Sequence, residues 1–169
     1  MRRLNLIVTT GSADQIHLEI EKGIIIATLY TAEVTATGAR TGNVASSDGI
    51  LNLDLAVPKE MGGNGAAATN PEQLFAAGYA ACFGGAAEYL ARQQKLETGA
   101  ITVKAKVGIG PDDAGPGFAL TVALDVTIAA LDQTAAEKLA AETHQVCPYS
   151  NATRNNIDVQ VIAHGGKQA

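Results

Sequence analysis

Asn70–Gln94 reads NPEQLFAAGYAACFGGAAEYLARQQ, and the fold turns on it. Asparagine is a favoured helix N-cap, and proline suits the first helical position, where no amide hydrogen is needed. Glu72 falls in the first turn, where a negative charge complements the helix dipole. Leu74–Ala87 is then a run of 14 uncharged, mostly apolar residues. A bilayer span takes about 20, so the run suits a helix buried on all sides of a core rather than in a membrane. The stretch predicts one long central helix from Pro71 to about Gln94.

Working outward, the flanks read as β-structure. Upstream, the β-branched run at 24–36 predicts a strand, Thr37–Ser47 a turn carrying Arg40, and 50–57 a half-buried strand closed by Pro58. A further short strand is expected near Ile16–Ile20. Downstream, 101–109 and 118–128 alternate around PDDAGPG and predict a hairpin. A second helix starts behind Asp132, reaches about Val146 and is stopped by Pro148. The segment 157–163 is a last strand. The order β-β-α-β-β-α-β predicts an α+β fold with curved mixed or antiparallel sheets against long central helices. Residues 24–169 form a single domain, preceded by an N-terminal extension, 1–23, to which the sequence assigns no role.

Composition bounds the function. The chain has 169 residues, 47% hydrophobic, with 7 aromatics and with 49 alanines and glycines, so its core relies on close backbone approach. Charged residues make up 17%, which excludes disorder as the main state. A net charge of −5 argues against nucleic acid and anionic membranes as partners. The start, MRRLNLIVTTGSADQ, lacks a secretory apolar core and cleavage site, so a cytoplasmic protein is expected.

The chain has two cysteines, Cys82 and Cys147, and three histidines, His17, His144 and His164. This is too little for a disulfide scaffold or a cysteine-based zinc site, so no metal is expected. Inert core thiols, one structural bridge and a redox pair all remain open. Periodicity alone favours an inert Cys82, because burial raises a thiol pKa. His144 reads as a solvated residue on a helix face, although it could pair with Cys147 as a hydrolase dyad. Gly63–Ala68 fits G-x-G-x-x-A but neither leaves a strand directly nor leads to a suitably placed acid, so no cofactor-binding site is expected there.

Two motifs narrow the choice: TNPEQLFAAGYAACFGGA at 69–86 and VCPYSNATRNN at 146–156. With LYTAEVTATGARTG, SSDGILNLDLAVPKEMGGNG and the closing IDVQVIA, the chain resembles the organic hydroperoxide resistance proteins of the osmotically inducible protein C superfamily. The resemblance covers about Ala27–Ala163. It implies a thiol peroxidase with no bound cofactor, in which Cys82 is the peroxidatic nucleophile and Cys147 the resolving cysteine. Arg40 would activate the thiolate and Glu72 would orient Arg40. It further implies an external dithiol reductant of lipoyl type and an intertwined homodimer. Thr41 stands where the family usually has aspartate.

The implied residues make chemical sense together. A guanidinium can lower a nearby thiol pKa by one to three units. Arginine keeps its charge when desolvated, and its fork can hold a carboxylate and a thiolate at once. Glu72 and Cys82 are ten residues apart, about 15 Å along a straight helix. One arginine cannot readily reach both within one chain, so either the helix breaks or one site takes Glu72 and Cys82 from different subunits; the expectation is the second. Met61, Leu74, Phe75, Phe83 and Tyr149 are candidate walls of an apolar pocket, which would favour alkyl or fatty-acid hydroperoxides over hydrogen peroxide. The competing reading is a non-catalytic module that holds a lipid-like ligand.

Overall fold

A computed structural model describes residues 27–167. By contacts the chain divides into residues 1–32 and Glu33–Ala169. The described part of the first unit, 27–32, carries no helix or strand. The expected strand near Ile16–Ile20 and the 23/24 boundary lie outside the described residues.

Among its described residues the second unit holds two three-stranded sheets and three α-helices, so the architecture is α+β as expected. The first sheet is antiparallel: β1 (Val34–Thr37), β2 (Asn43–Ser46) and β3 (Asn52–Asp54). The second is mixed: β4 (Ile101–Pro111) and β5 (Phe118–Ile128) form the expected hairpin, and β6 (Val159–Gly165) runs parallel to β5.

α1 (Pro71–Gln93) is one unbroken helix. Its N-cap is Asn70, whose side chain accepts the Gln73 amide hydrogen at 2.9 Å. α2 (Gln133–Val146) is capped by Asp132 in the same way, through Ala135. Tyr79, Phe83, Ala87 and Ala91 recur every four residues along α1 and are buried. Tyr79, Phe83 and Ala91 share the main core with Leu124, Val126 and Ile128 of β5 and with Ala136 and Leu139 of α2. An interior of this kind is close-packed, and each full burial of a large apolar side chain contributes about 1.5–3 kcal/mol.

Four sequence expectations change. The strand expected at 24–36 is confined, within the described residues, to Val34–Thr37, because β2 offers only the four partners Asn43–Ser46. β2 itself lies inside the segment expected to be a turn. Pro148 ends α2 but also opens a short helix, α3 (Pro148–Thr153), since its fixed φ suits a first helical position. Finally, α1 is not enclosed on all sides. Gln73, Ala77, Ala81, Gly85 and Tyr89 form an exposed stripe at four-residue spacing, because β4–β6 and α2 cover only the other face.

Candidate active site

Arg40 sits on a 3-10 turn, Ala39–Thr41, between β1 and β2. Glycines bracket the turn. Gly38 has φ 78°, and any Cβ at Gly42 would overlap the Thr37 carbonyl, so the chain can double back there only without a side chain. Thr41 closes the turn, its hydroxyl donating to the Gly38 carbonyl at 3.3 Å.

The end of β3 delivers Glu72 to this turn. The Leu55 amide donates to the Gly42 carbonyl at 2.8 Å, and Thr69 and Asp54–Ala56 exchange backbone bonds at 2.9 and 3.0 Å. Asn70 then starts α1 beside the first sheet. Arg40 Nη1 donates to Glu72 Oε2 at 3.0 Å and Nη2 to Oε1 at 2.7 Å, a bidentate pair. Glu72 is largely sheltered (12% exposed) and Arg40 less so (37%). The Arg40 hydrogen bonds hold the Glu72 carboxyl below its ordinary range, and Glu72 in turn raises the guanidinium. Below the pair lies a cleft of about 340 Å³, lined by Glu72, Met61, Ala76 and the β4 side chains Ala105, Val107 and Ile109.

The cysteines form a second cluster. Cys82 is on α1, and Cys147 joins α2 to α3, its amide bonded back to Thr143 and its carbonyl accepting from Asn151, both at 2.9 Å. Both are free thiols, and Cys147 Sγ lies 3.6 Å from Cys82 Sγ. Cys147 is fully enclosed and Cys82 partly exposed. Burial raises the Cys82 thiol, the Tyr149 amide hydrogen partly offsets this, and the neighbouring Cys147 raises it further. Arg40 of the same chain is not among the groups that act on it.

The fold thus brings together Arg40 with Glu72, and Cys82 with Cys147, but leaves the two pairs about 15 Å apart along an unbroken α1. Of the candidate pocket residues, Met61 lines the cleft. Phe75 and Tyr149 pack against each other, ring centroids 6.3 Å apart. Leu74 is half-buried and Phe83 is in the core.

One cluster was not foreseen. Tyr79, Ser150 and Thr153 are buried and hydrogen-bonded beside the cysteines, and His144 joins them: its Nδ1 lies 2.9 Å from Ser150 Oγ. His144 is therefore half-buried and partnered, not a solvated residue on the helix face. Burial, and then the Arg154 charge, push its pKa down. The only sequence signal is the concentration of hydroxyl residues in PYSNAT directly behind Cys147.

Among the described residues no cluster of three or more His, Cys, Asp or Glu could hold a metal, and no helix is long and apolar enough to cross a membrane.

The family model described as OsmC-like protein matches residues 62–162. An organic hydroperoxide resistance protein of Xanthomonas axonopodis pv. citri is 51% identical over 132 residues, 78% of this chain and 92% of its own length. The organic hydroperoxide resistance protein OhrB of Bacillus subtilis is 46% identical over 135 residues, 79% of this chain and 96% of its own. Among solved structures, an organic hydroperoxide resistance protein of Elizabethkingia anophelis, crystallised with thiocyanate, superposes with a TM-score of 0.78 at 45% identity, covering 85% of this chain and all of that one. The crystal structure of Bacillus subtilis OhrB gives 0.72 at 44% identity, covering 82% and 99%.

Proposed function

Since the chain belongs to the OsmC-like family, within its organic hydroperoxide resistance group, we propose that it detoxifies organic hydroperoxides as a dithiol-dependent peroxidase. The observation that carries this reading is the pair of free thiols, Cys82 and Cys147, with sulfurs 3.6 Å apart. They need only a small approach to form a bond of about 2.05 Å.

The cycle has three steps. The Cys82 thiolate attacks the outer oxygen of ROOH; the O–O bond breaks, the alkoxide takes a proton and leaves as ROH, and Cys82 becomes a sulfenic acid. Cys147 sulfur then attacks the sulfenic sulfur. The S–O bond breaks, hydroxide leaves with the Cys147 proton as water, and a disulfide remains. An external dithiol, of lipoyl type, returns both thiols by exchange and is itself oxidised to a disulfide. Such a cycle belongs in a reducing compartment, and the cytoplasm fits it.

Cys82 alone is a poor thiolate, because burial raises it and no cation among the described residues of its own chain offsets that. Arg40 supplies the missing charge when a second copy stacks on the exposed stripe of α1. Each site would then take Cys82 and Cys147 from one subunit and Arg40 and Glu72 from the other. Two further features support this homodimer. The β1–β3 sheet buries only Val44, which is too little to stabilise three strands alone. Small residues at positions 77, 81 and 85 permit close helix approach. In the dimer Arg40 lowers the Cys82 pKa and stabilises the leaving alkoxide, while Glu72 orients the guanidinium fork. The mainly apolar cleft behind Glu72 would receive the alkyl part of the peroxide.

Treatment with one equivalent of cumene hydroperoxide should give a Cys82–Cys147 disulfide by mass spectrometry, and Cys82→Ser should abolish peroxide consumption. Thiols left free after treatment would refute the reading.

A further inference from the structure

Three elements carry the two cysteines, and one buried polar chain ties all three together. Tyr79 lies three residues before Cys82 on α1. Its hydroxyl donates to Ser150 Oγ at 3.0 Å and lies 3.2 Å from Thr153 Oγ1, both on α3. Ser150 lies three residues after Cys147, and His144, on α2, three before it. With the Tyr79 hydrogen given to Ser150, the Ser150 hydrogen is free for His144 Nδ1 at 2.9 Å. That direction requires a neutral imidazole with its proton on Nε2. Thr153 Oγ1 donates back to the Tyr149 carbonyl at 2.9 Å, and Arg154 Nη2 donates to the His144 carbonyl at 2.8 Å. Tyr79 and Ser150 are fully enclosed, and every buried side-chain nitrogen and oxygen among the described residues has a partner. The chain has no slack. α3 also sits tightly on α1: a Cβ at Gly78 would approach the Tyr149 ring at 3.2 Å, closer than most such contacts allow.

We propose that Tyr79, Ser150 and His144 are positioning residues for disulfide formation: their hydrogen-bond chain pins the α2–α3 corner to α1 and so sets how fast Cys147 captures the Cys82 sulfenic acid. The inference rests on the peroxidase reading above. It concerns the step in which the Cys147 sulfur displaces hydroxide from Cys82, forming the S–S bond as the S–O bond breaks. Burying hydroxyls and an imidazole where an apolar contact would pack as well is costly unless all are paired. Here all are paired, and the pairs converge one turn from each sulfur. The attack on peroxide uses Cys82 without Cys147 and is untouched by the chain.

Tyr79→Phe keeps the ring and the packing and removes the hydroxyl that donates to Ser150. The experiment mixes protein with one equivalent of cumene hydroperoxide and excess dimedone, which traps sulfenic acid. Peroxide loss in the first turnover reports the first step. The ratio of Cys82–dimedone adduct to Cys82–Cys147 disulfide, by mass spectrometry, reports the second. In Tyr79→Phe the ratio should rise about tenfold or more, the scale on which sub-ångström misplacement acts, with the first step unchanged. Should Tyr79→Phe fail to fold, Ser150→Ala interrupts the same chain while leaving the Tyr79 hydroxyl free to donate to Thr153 Oγ1, and is read in the same way. A variant that forms disulfide at the wild-type rate, or that slows both steps equally, overturns the inference while the peroxidase reading stands. A wild type that keeps both thiols free overturns both.

Discussion

Mixing two inactive variants should restore activity if each site is assembled from two subunits. The perturbation pairs Cys82→Ser with Arg40→Ala. Within one chain Arg40 is held by Glu72 at 2.7 and 3.0 Å, at the first turn of a helix that runs unbroken from Pro71 to Gln93. Cys82 lies about 15 Å further on, while an ion pair acts on a pKa within about 4–6 Å. A composite dimer of one variant with the other has one site with both lesions. Its other site combines an intact Cys82 with an intact Arg40. Random pairing makes about half the molecules mixed, each with one of two sites intact, so a 1:1 mixture should recover about one quarter of wild-type activity per site. The parents should not: the serine variant has no nucleophile, and the alanine variant loses about one to three units of thiol activation, roughly 10- to 1,000-fold at neutral pH. The assay is organic hydroperoxide consumption after co-refolding or co-expression, with differently tagged heterodimers isolated as a check; these should show about half of wild-type activity. Activity of the mixture equal to the mean of its parents would refute the two-subunit site.

Other outcomes follow from the same geometry. Glu72→Gln removes the charge that holds the guanidinium fork; peroxide turnover should fall while the Cys82–Cys147 disulfide still forms slowly, which mass spectrometry would show. Phe83→Ala empties a fully enclosed core position and should lower unfolding free energy by about 3–5 kcal/mol in urea titration. Acid should destabilise the protein in two stages. His144 has a depressed pKa, so the unfolded state takes up its proton first and stability falls as the pH drops below the ordinary 6.5. The Glu72 carboxyl is held below its ordinary 4.5, so its contribution is present above that pH and is lost as the pH falls through its lower folded value. Arg40→Ala should weaken the second stage of the unfolding profile, leaving the part carried by Asp48, and leave the first stage unchanged.

What the sequence made legible is what depends on local chemistry. Asn70, Pro71 and Asp132 announce their helices because an unsatisfied amide needs a nearby oxygen whatever the fold. The 101–128 hairpin is legible because alternation and turn residues lie within one short segment. The run at 24–36 misleads, because β-branched residues favour a strand but cannot supply its partner. α3 is hidden because proline ends one helix and begins another with the same fixed φ. Both cysteines were recognisable through their motifs, but the 3.6 Å gap depends on how the chain folds over a separation of 65 positions. The contact of Arg40 with Glu72 depends on the Gly42–Leu55 and Asp54–Thr69 backbone bonds that join sheet to helix. Beyond the hydroxyl residues gathered behind Cys147, the Tyr79–Ser150–Thr153 cluster gave no signal, because a hydroxyl pair 71 or 74 residues apart follows no period.

The enclosure of Cys147 beside a half-open Cys82 bears on how such a protein survives its own substrate. In the proposed cycle a sulfenic acid on Cys82 faces two fates: capture by Cys147, or a second peroxide that carries it to the irreversible sulfinic acid. Capture is intramolecular, so its rate does not depend on peroxide, whereas over-oxidation rises in proportion to peroxide. The packing of one shielded sulfur against one accessible sulfur therefore fixes a dose threshold. Below it the protein cycles; above it the protein is inactivated in proportion to the stress.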